Sequence, residues 1–332
     1  MKELKNKILI IIAMGFFIVT GCGTYNTKSI TKDLDNKLGK LKSYRLSGEL
    51  EIVNNDDLYN YDVDVSYKAK DKYKIVLTNK NNKHEQIILK NDDGVYVLTP
   101  ALNKSFKFQS DWPYNTSQAY LLEAILRDIK NDSKKTLNKK DKGYILTTKV
   151  NYTNNNSLVN QKIILDNKLN LKKIEVFNKK DIPIIQMKFK KIDYNPTFKN
   201  SYFDLPTSVN ENKNTKTTSK IEDTVYPLFV PDNTKLASEE KIKKNNGERI
   251  IMSFEGEKPF LLVEETASRE DEFTVIPTYG EPYMLTDTIG VMADNAITWT
   301  SNNMEYYIVS NVISNEELLE IARSINVIPT MK

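Results

Sequence analysis

Enzymatic chemistry needs reactive side chains at workable spacing, and this 332-residue chain offers few. Its one histidine, His84, stands in the polar stretch "NKNNKHEQ". Serine-based acyl transfer would need that histidine as its base, and a zinc centre would need several partners at fixed spacing. Neither set surrounds His84, which is therefore expected to be a solvated surface residue. Acidic stretches invite other chemistry. Asn54-Asn55-Asp56-Asp57 and Asp92-Asp93-Gly94 offer oxygens for calcium, but they lack the ligand spacing and closing glutamate of a calcium loop. Both are expected to be turns. Glu264-Glu265 with Glu270-Asp271-Glu272 could pair as the carboxylates of a glycosidase. At a strand end and on a loop, they are expected to form a solvated face. No glycine-rich phosphate loop is present. The residues supply no catalytic group, metal site or cofactor site, and the chain is read as a non-enzyme.

The sole cysteine, Cys22, sits in "FFIVTGCG" at residues 16–23. Lys2, Lys5 and Lys7 give a basic start, and Ile8 to Val19 form an uncharged apolar run of about 12 residues. That run is short of the ~20 residues a membrane-spanning helix needs. It has the length and flanks of a secretory signal segment. Val19-Thr20-Gly21-Cys22 resembles the bacterial lipobox, in which the peptide is cut before the cysteine and the thiol is acylated. One acyl chain anchors weakly, whereas two or three hold stably. The expectation is a mature protein beginning at Cys22, lipid-anchored (palmitate at Cys22) on the extracytoplasmic face of the membrane. An acylated Cys22 leaves no thiol for disulfides, thiolate metal sites or nucleophilic catalysis.

Composition is that of a globular protein, with 39% hydrophobic and 28% charged residues. The overall charge of +4 conceals a contrast. Residues 22–215 hold 34 Lys and Arg against 23 Asp and Glu, whereas residues 216–332 hold 11 against 20. Two bodies of opposite charge are expected. Basic residues alternate with apolar ones along strands instead of clustering, so nucleic acid is excluded as a partner.

The elements that would carry any site can be read from periodicity. Ile30, Leu34, Leu38 and Leu41 make one helical stripe over Thr27–Lys42. From Tyr44 the period becomes two, through "YRLSGELEIV" and a strand with Tyr59, Tyr61, Val63, Val65 and Tyr67 on one face. Further strands follow in "KYKIVLTN", "EQIILK", "GVYVLT" and "KSFKFQ", and Ser117–Lys130 reads as a second helix. Four more strands end in "IPIIQMKFKKIDY", and "NPTFKNSYFDLP" closes the unit. About ten strands with one apolar face should curl into an open antiparallel barrel or strongly bent sheet, with the helices as lids. "TSVNENKNTKTTSK" reads as a flexible linker. After it comes a small α+β body whose last helix opens with Ser314 and Glu317 at capping-box spacing. The division is thus 1–21 signal segment, 22–206 curved-sheet domain, 207–220 linker and 221–332 small α+β domain.

The order helix, "LKSYRLSGELEI", alternating strands, "GVYVLTPALNKSFKF", Pro-flanked helix and "YFDLP" resembles the LolA/LolB-like lipoprotein-carrier superfamily over roughly residues 27–206. "FVPDNTKL", "ERIIMSFEGEKPFLLVEE", "GEPYMLTDTIGVMADNAITW" and "EELLEIARSI" resemble the C-terminal domain of the YdcC-type sporulation lipoproteins. The first body also resembles the germination lipoprotein GerS, from which this chain departs by carrying a second domain. The resemblance implies an incomplete barrel with an apolar cavity and a role in sporulation or germination, with a cortex-modifying amidase as protein partner. The alternative it implies is a fixed receptor for a lipid or acyl chain. Tyr59, Tyr61 and Tyr67 would line such a cavity, or else belong to sheet core. Trp112 and Tyr114 would form a lid or partner contact, or else a structural plug.

The anchor is directly testable. Cys22→Ala should leave the folded bodies intact and shift the protein from the membrane fraction to the medium, or leave it held by an uncut signal segment. Palmitate labelling of the wild type checks it, and absence of incorporation would end the lipoprotein assignment.

Overall fold

The computed structural model describes residues 25–54, 57–114, 116–152, 155–206, 220–285, 288–301 and 303–325. The signal segment, Cys22, residues 55 and 56 of the expected turn at 54–57 and the expected linker, apart from Lys220, lie outside the described residues. The first helix, α1 (Thr27–Leu38), buries Ile30, Leu34 and Leu38, and the Asn26 side chain caps it by accepting from the amides of Lys28 and Ser29. It ends short of the expected Lys42, at Gly39, whose amide donates to the Asp35 carbonyl.

Eleven strands follow: β1 (Ser43–Asn54), β2 (Asp57–Lys68), β3 (Lys72–Asn79), β4 (Glu85–Asn91), β5 (Gly94–Thr99), β6 (Lys104–Phe108), β7 (Thr136–Lys140), β8 (Gly143–Lys149), β9 (Leu158–Asp166), β10 (Leu171–Asn178) and β11 (Pro183–Tyr194). Between β6 and β7 stands α2 (Leu122–Asn131). The periodicity placed its start at Ser117. The Ser117 hydroxyl instead accepts from the Asn151 amide at 2.8 Å, and the Ser117 amide donates to the Asn151 carbonyl. These bonds hold residues 117–121 outside the helix.

Two meanders, β1–β6 and β7–β11, are joined where β1 pairs antiparallel with β11. The register shifts at Ser47/Gly48. A Cβ at Gly48 would collide with the Lys188 carbonyl and the Met187 side chain, so only glycine allows this close approach. The result is one curved sheet that does not close into a barrel; β7 and a strand from the second body are its two edges. Its inner face is filled by its own side chains. Tyr44, Leu46, Leu50, Val63, Val65, Tyr67, Tyr73, Ile75 and Leu77 are buried against Ile30 and Leu34 of α1 and Leu122, Ile125 and Ile129 of α2. Beneath β4 and β5 the outer face is covered too. Leu89, Tyr96 and Leu98 there meet Phe198, Tyr202, Phe203 and Leu205 of the closing segment. Strand β5 is therefore apolar on both faces, as "GVYVLT" requires.

The second body is a seven-stranded antiparallel sheet ordered β12 (Thr234–Lys244), β13 (Gly247–Gly256), β14 (Phe260–Thr266), β19 (Met304–Val309), β18 (Ala296–Ser301), β17 (Ile289–Ala293), β16 (Glu281–Met284). Helix α3 (Asn315–Ser324) covers one face, and the capping box of Ser314 and Glu317 is formed. Strand β15 (Thr274–Thr278) leaves this body and pairs in parallel with β6, becoming the twelfth strand of the first sheet. Ile289 and Val291 join the core of the first body, with Met284 packed against it. The Ile289 amide donates to Gln86 Oε1 at 2.7 Å, and Lys104 Nζ lies 2.7 Å from Glu305 and 3.6 Å from Glu270.

The interlock gives a clear expectation. A protease site engineered between residues 207 and 219 should cut the chain without separating it. The halves should co-elute on size exclusion until denaturant melts β15 from β6; separation in native buffer would contradict the shared core.

Candidate functional site

The loop between β6 and α2 crosses the edge of the filled inner face and gathers most of the unusual side chains. Trp112 is buried to 3% exposure and meets Tyr73 edge-on, ring centroids 5.9 Å apart. Tyr73 packs on Tyr67 at 5.0 Å, and Tyr67 stacks on Tyr44 at 5.1 Å. Four aromatic rings thus run in a column from β1 through β2 and β3 to the loop. The loop is held at several points. Lys90 Nζ donates to the Trp112 carbonyl at 2.7 Å, and Arg127 of α2 donates to the carbonyls of Pro113 and Thr116 at 3.1 and 2.6 Å. Tyr114, one residue past Pro113, is 44% exposed, with the Lys90 ammonium 4.6 Å from its ring centroid.

A carboxyl group sits at the inner end of the column. Glu123, in the first turn of α2, accepts from the Tyr44 hydroxyl at 2.8 Å, and that hydroxyl accepts from the Leu122 amide at 3.3 Å. Burial pushes Glu123 up to about 7, against the lowering effect of the Tyr44 bond. Burial, then the Glu123 charge, pushes the Tyr67 phenol up to about 12. Tyr44 and Tyr73 rise as well, first through burial and then through the Glu123 charge. Glu123 is the one member of the column that titrates near neutrality. Bonded to Tyr44, the carboxyl is packed as a polar member of the column. Among the described residues no group of three or more His, Cys, Asp and Glu could hold a metal ion.

The structure links Tyr67 to Trp112 through Tyr73, with Tyr44 stacked on the other side of Tyr67, and presents Tyr114 at the surface beside them. Tyr61 is buried further along β2, and Tyr59 packs half-buried at the rim. Glu123 was missed because one carboxylate among apolar residues on a helix reads as a solvated position. Two expectations need correction. His84 is not a solvated surface residue: its Nε2 is buried with no hydrogen-bond partner among the described residues, and burial lowers its pKa. Glu264 is not part of a solvated face. It is 1% exposed, accepts from the Val225 amide at 3.1 Å and is pushed up by burial. It anchors the segment that leads into the second sheet, while neighbouring Glu265 pairs with Arg249 and Lys244. Asp92 and Asp93 do form the turn between β4 and β5.

Among the described residues two cavities stand out, the first on the β4–β6 part of the inner face itself, where Val97, Ile289 and Val291 are core residues. One of about 160 Å³ lies between the two bodies, lined by Gln86, Val97, Lys104, Phe106, Ile289 and Glu305 among others. The other, about 350 Å³, opens beside α1 among Thr27, Lys28, Thr31, Lys32, Asp35 and Lys135. The first is smaller than the ~300–1,000 Å³ of drug-sized ligand pockets.

A curved antiparallel sheet with two helices on its inner face, extended by a small α+β body, defines a mainly β protein of the α+β class. The chain belongs to the YdcC family of sporulation proteins: it is 32% identical over 331 residues to Sporulation protein YdcC of Bacillus subtilis (strain 168), covering 98% of both chains. No family model matches the chain. Among solved structures it is similar to the complex of the CwlD amidase with the GerS lipoprotein from Clostridioides difficile, at 19% identity, 51% of this chain, 95% of that one and TM-score 0.32. It is also similar to the Pseudomonas aeruginosa MucA/MucB complex, at 11% identity, 90% and 98% coverage and TM-score 0.32. The LolA superfamily protein NE2245 from Nitrosomonas europaea is similar at 12% identity, 54% and 98% coverage and TM-score 0.30.

The raised Glu123 predicts a pH dependence. A carboxyl pKa raised in the folded state gives stability that is complete below its ordinary value near 4.5 and lost as pH rises through about 7. Glu123→Gln removes the titration and keeps the shape. Allowing for partial solvent access, wild type should lose about 1–2 kcal/mol relative to Glu123→Gln between pH 4.5 and 8. Urea unfolding of both proteins across that range measures it. Parallel curves would show that the carboxyl is not raised.

Proposed function

We propose that this chain is a lipid-anchored, non-enzymatic binding module of sporulation or germination, held outside the cell membrane through Cys22, with a cell-wall amidase as its client. Membership of the YdcC family supports the sporulation setting. The resemblance of the first body to GerS supports the amidase. The observation that carries the binding mode is the filled inner face. Its tyrosines and leucines pack on one another, and the loop beside it presents Tyr114 on a rigid base. An aromatic ring with little freedom left to lose is the kind of residue that anchors a protein interface. An acyl-chain receptor needs an open apolar volume where these side chains stand.

Pull-down from sporulating cells, with wild type and Tyr114→Ala as baits, tests the proposal. Wild type should retain a cell-wall amidase, and Tyr114→Ala should weaken that contact at least tenfold while melting at the same temperature. Deleting the gene should impair cortex processing or germination and leave vegetative growth normal. Hydrolase activity of the purified chain, abolished by one point substitution, would overturn the non-enzyme reading. Acyl chains co-purifying with the chain would bring the receptor reading forward.

A further inference from the structure

The lysines of the first body are not all in the same state. On the outer face of β1, β3 and β11 several are paired, Lys188 with Glu51 at 2.6 Å, Lys190 with Glu49 at 2.8 Å and Lys80, just past β3, with Glu49 at 2.5 Å, while among the described residues Lys74 and Lys191 there form no salt bridge. At the free edge they are not. Lys139 and Lys140 of β7, Lys142 of the β7–β8 turn, and Lys28 and Lys32 of α1 are exposed, and among the described residues none forms a salt bridge with a carboxylate. Lys135 joins Lys28 and Lys32 around the cavity beside α1. Nearby carboxylates are mostly engaged: Asp33 accepts from the Tyr25 hydroxyl at 2.9 Å, Asp35 pairs with Lys130 at 3.1 Å, and Asp132 accepts two backbone amides. Asp33 and Asp141 remain exposed among them.

This edge is also where the chain enters the fold. The Tyr25 ring packs on Tyr144 of β8 at 5.2 Å, and Tyr144 is the cross-strand partner of Lys139. Cys22 lies three residues before Tyr25. A fully extended chain of that length reaches ~11 Å, comparable with the depth of one headgroup layer. A lipid on Cys22 would hold the β7–β8 hairpin against the bilayer surface.

We propose that the lysine edge formed by β7, the β7–β8 turn and the start of α1 is a docking surface for anionic phospholipid headgroups, and that it sets the orientation of the protein on the membrane. Its orienting role rests on the anchored reading of Cys22; its affinity for headgroups does not. The chemistry is that of phosphodiester anions meeting several ammonium groups, strong in sum and screened by salt.

The test uses the mature chain from residue 22 with Cys22→Ser, so that no acyl chain contributes. It should sediment with vesicles containing phosphatidylglycerol and not with vesicles of phosphatidylcholine alone, and 0.5 M salt should release it. At about fivefold per lysine, the exposed-edge variant Lys139→Gln/Lys140→Gln/Lys142→Gln should bind about 100-fold more weakly. Lys188→Gln/Lys190→Gln, altering paired lysines elsewhere, should bind as the parent does. Equal binding to neutral vesicles, no binding to anionic ones, or an unaffected triple variant with an unchanged melting curve would each overturn the proposal. Palmitate labelling separates the two readings. Vesicle binding without acylation removes the anchor and keeps the surface; acylation without vesicle binding removes the surface and keeps the anchor.

Discussion

An antiparallel sheet with one apolar face must hide that face, and most of this molecule follows from how it does so. Twelve strands expose more apolar surface than two short helices can cover. The curl of the sheet brings its own side chains across the opening, so that Tyr44, Tyr67 and Tyr73 meet Trp112 in a continuous column. Each fully buried large side chain is worth about 1.5–3 kcal/mol, and aromatic contacts at these spacings add a little more. The column therefore fills the space under the curl of the sheet that an open cavity would need.

The second body completes the cover from the other end. Ile289 and Val291 lie in the first core, and β15 satisfies the open edge of β6 with a parallel ladder. An unpaired edge is an invitation to association, and β6 is protected from it by its own chain. The contrast with β7 is instructive. That edge has no strand beside it and carries lysines instead, a second way to keep a free ladder from pairing with another chain. The same lysines are available to a membrane because, among the described residues, none of them forms a salt bridge with a carboxylate.

Much of this was legible in the sequence. Alternation along Tyr44–Ile52 and Tyr59–Tyr67 gave the inner face, and Ser314 with Glu317 gave the start of α3. The misses share a physical cause. Strands β7 and β12 are edges with mostly exposed, charged residues, so neither face carries an apolar signature. Strand β15 is short, and its pairing is with residues some 170 positions earlier in the chain, which no local pattern encodes. Glu264 and His84 were read from residue type and Glu123 was passed over, yet the burial of all three is decided by what packs on them. A polar residue can be assigned to solvent only once the layers are known.

The charge contrast between the halves takes on a spatial meaning in this fold. The acidic second body attaches at β6, and the lysine edge is β7, at the other end of the strand order. With +11 in residues 22–215 and −9 in residues 216–332, the net positive charge belongs to the body that carries the lysine edge. Near an anionic surface the basic body is drawn inward, and the field acts over about a Debye length, ~8 Å at physiological salt. A lipid tether at Cys22, as proposed, would supply proximity while the charge contrast supplies orientation. The residues least able to form a core, the unpaired lysines of β7, then have a function that depends on their remaining outside it.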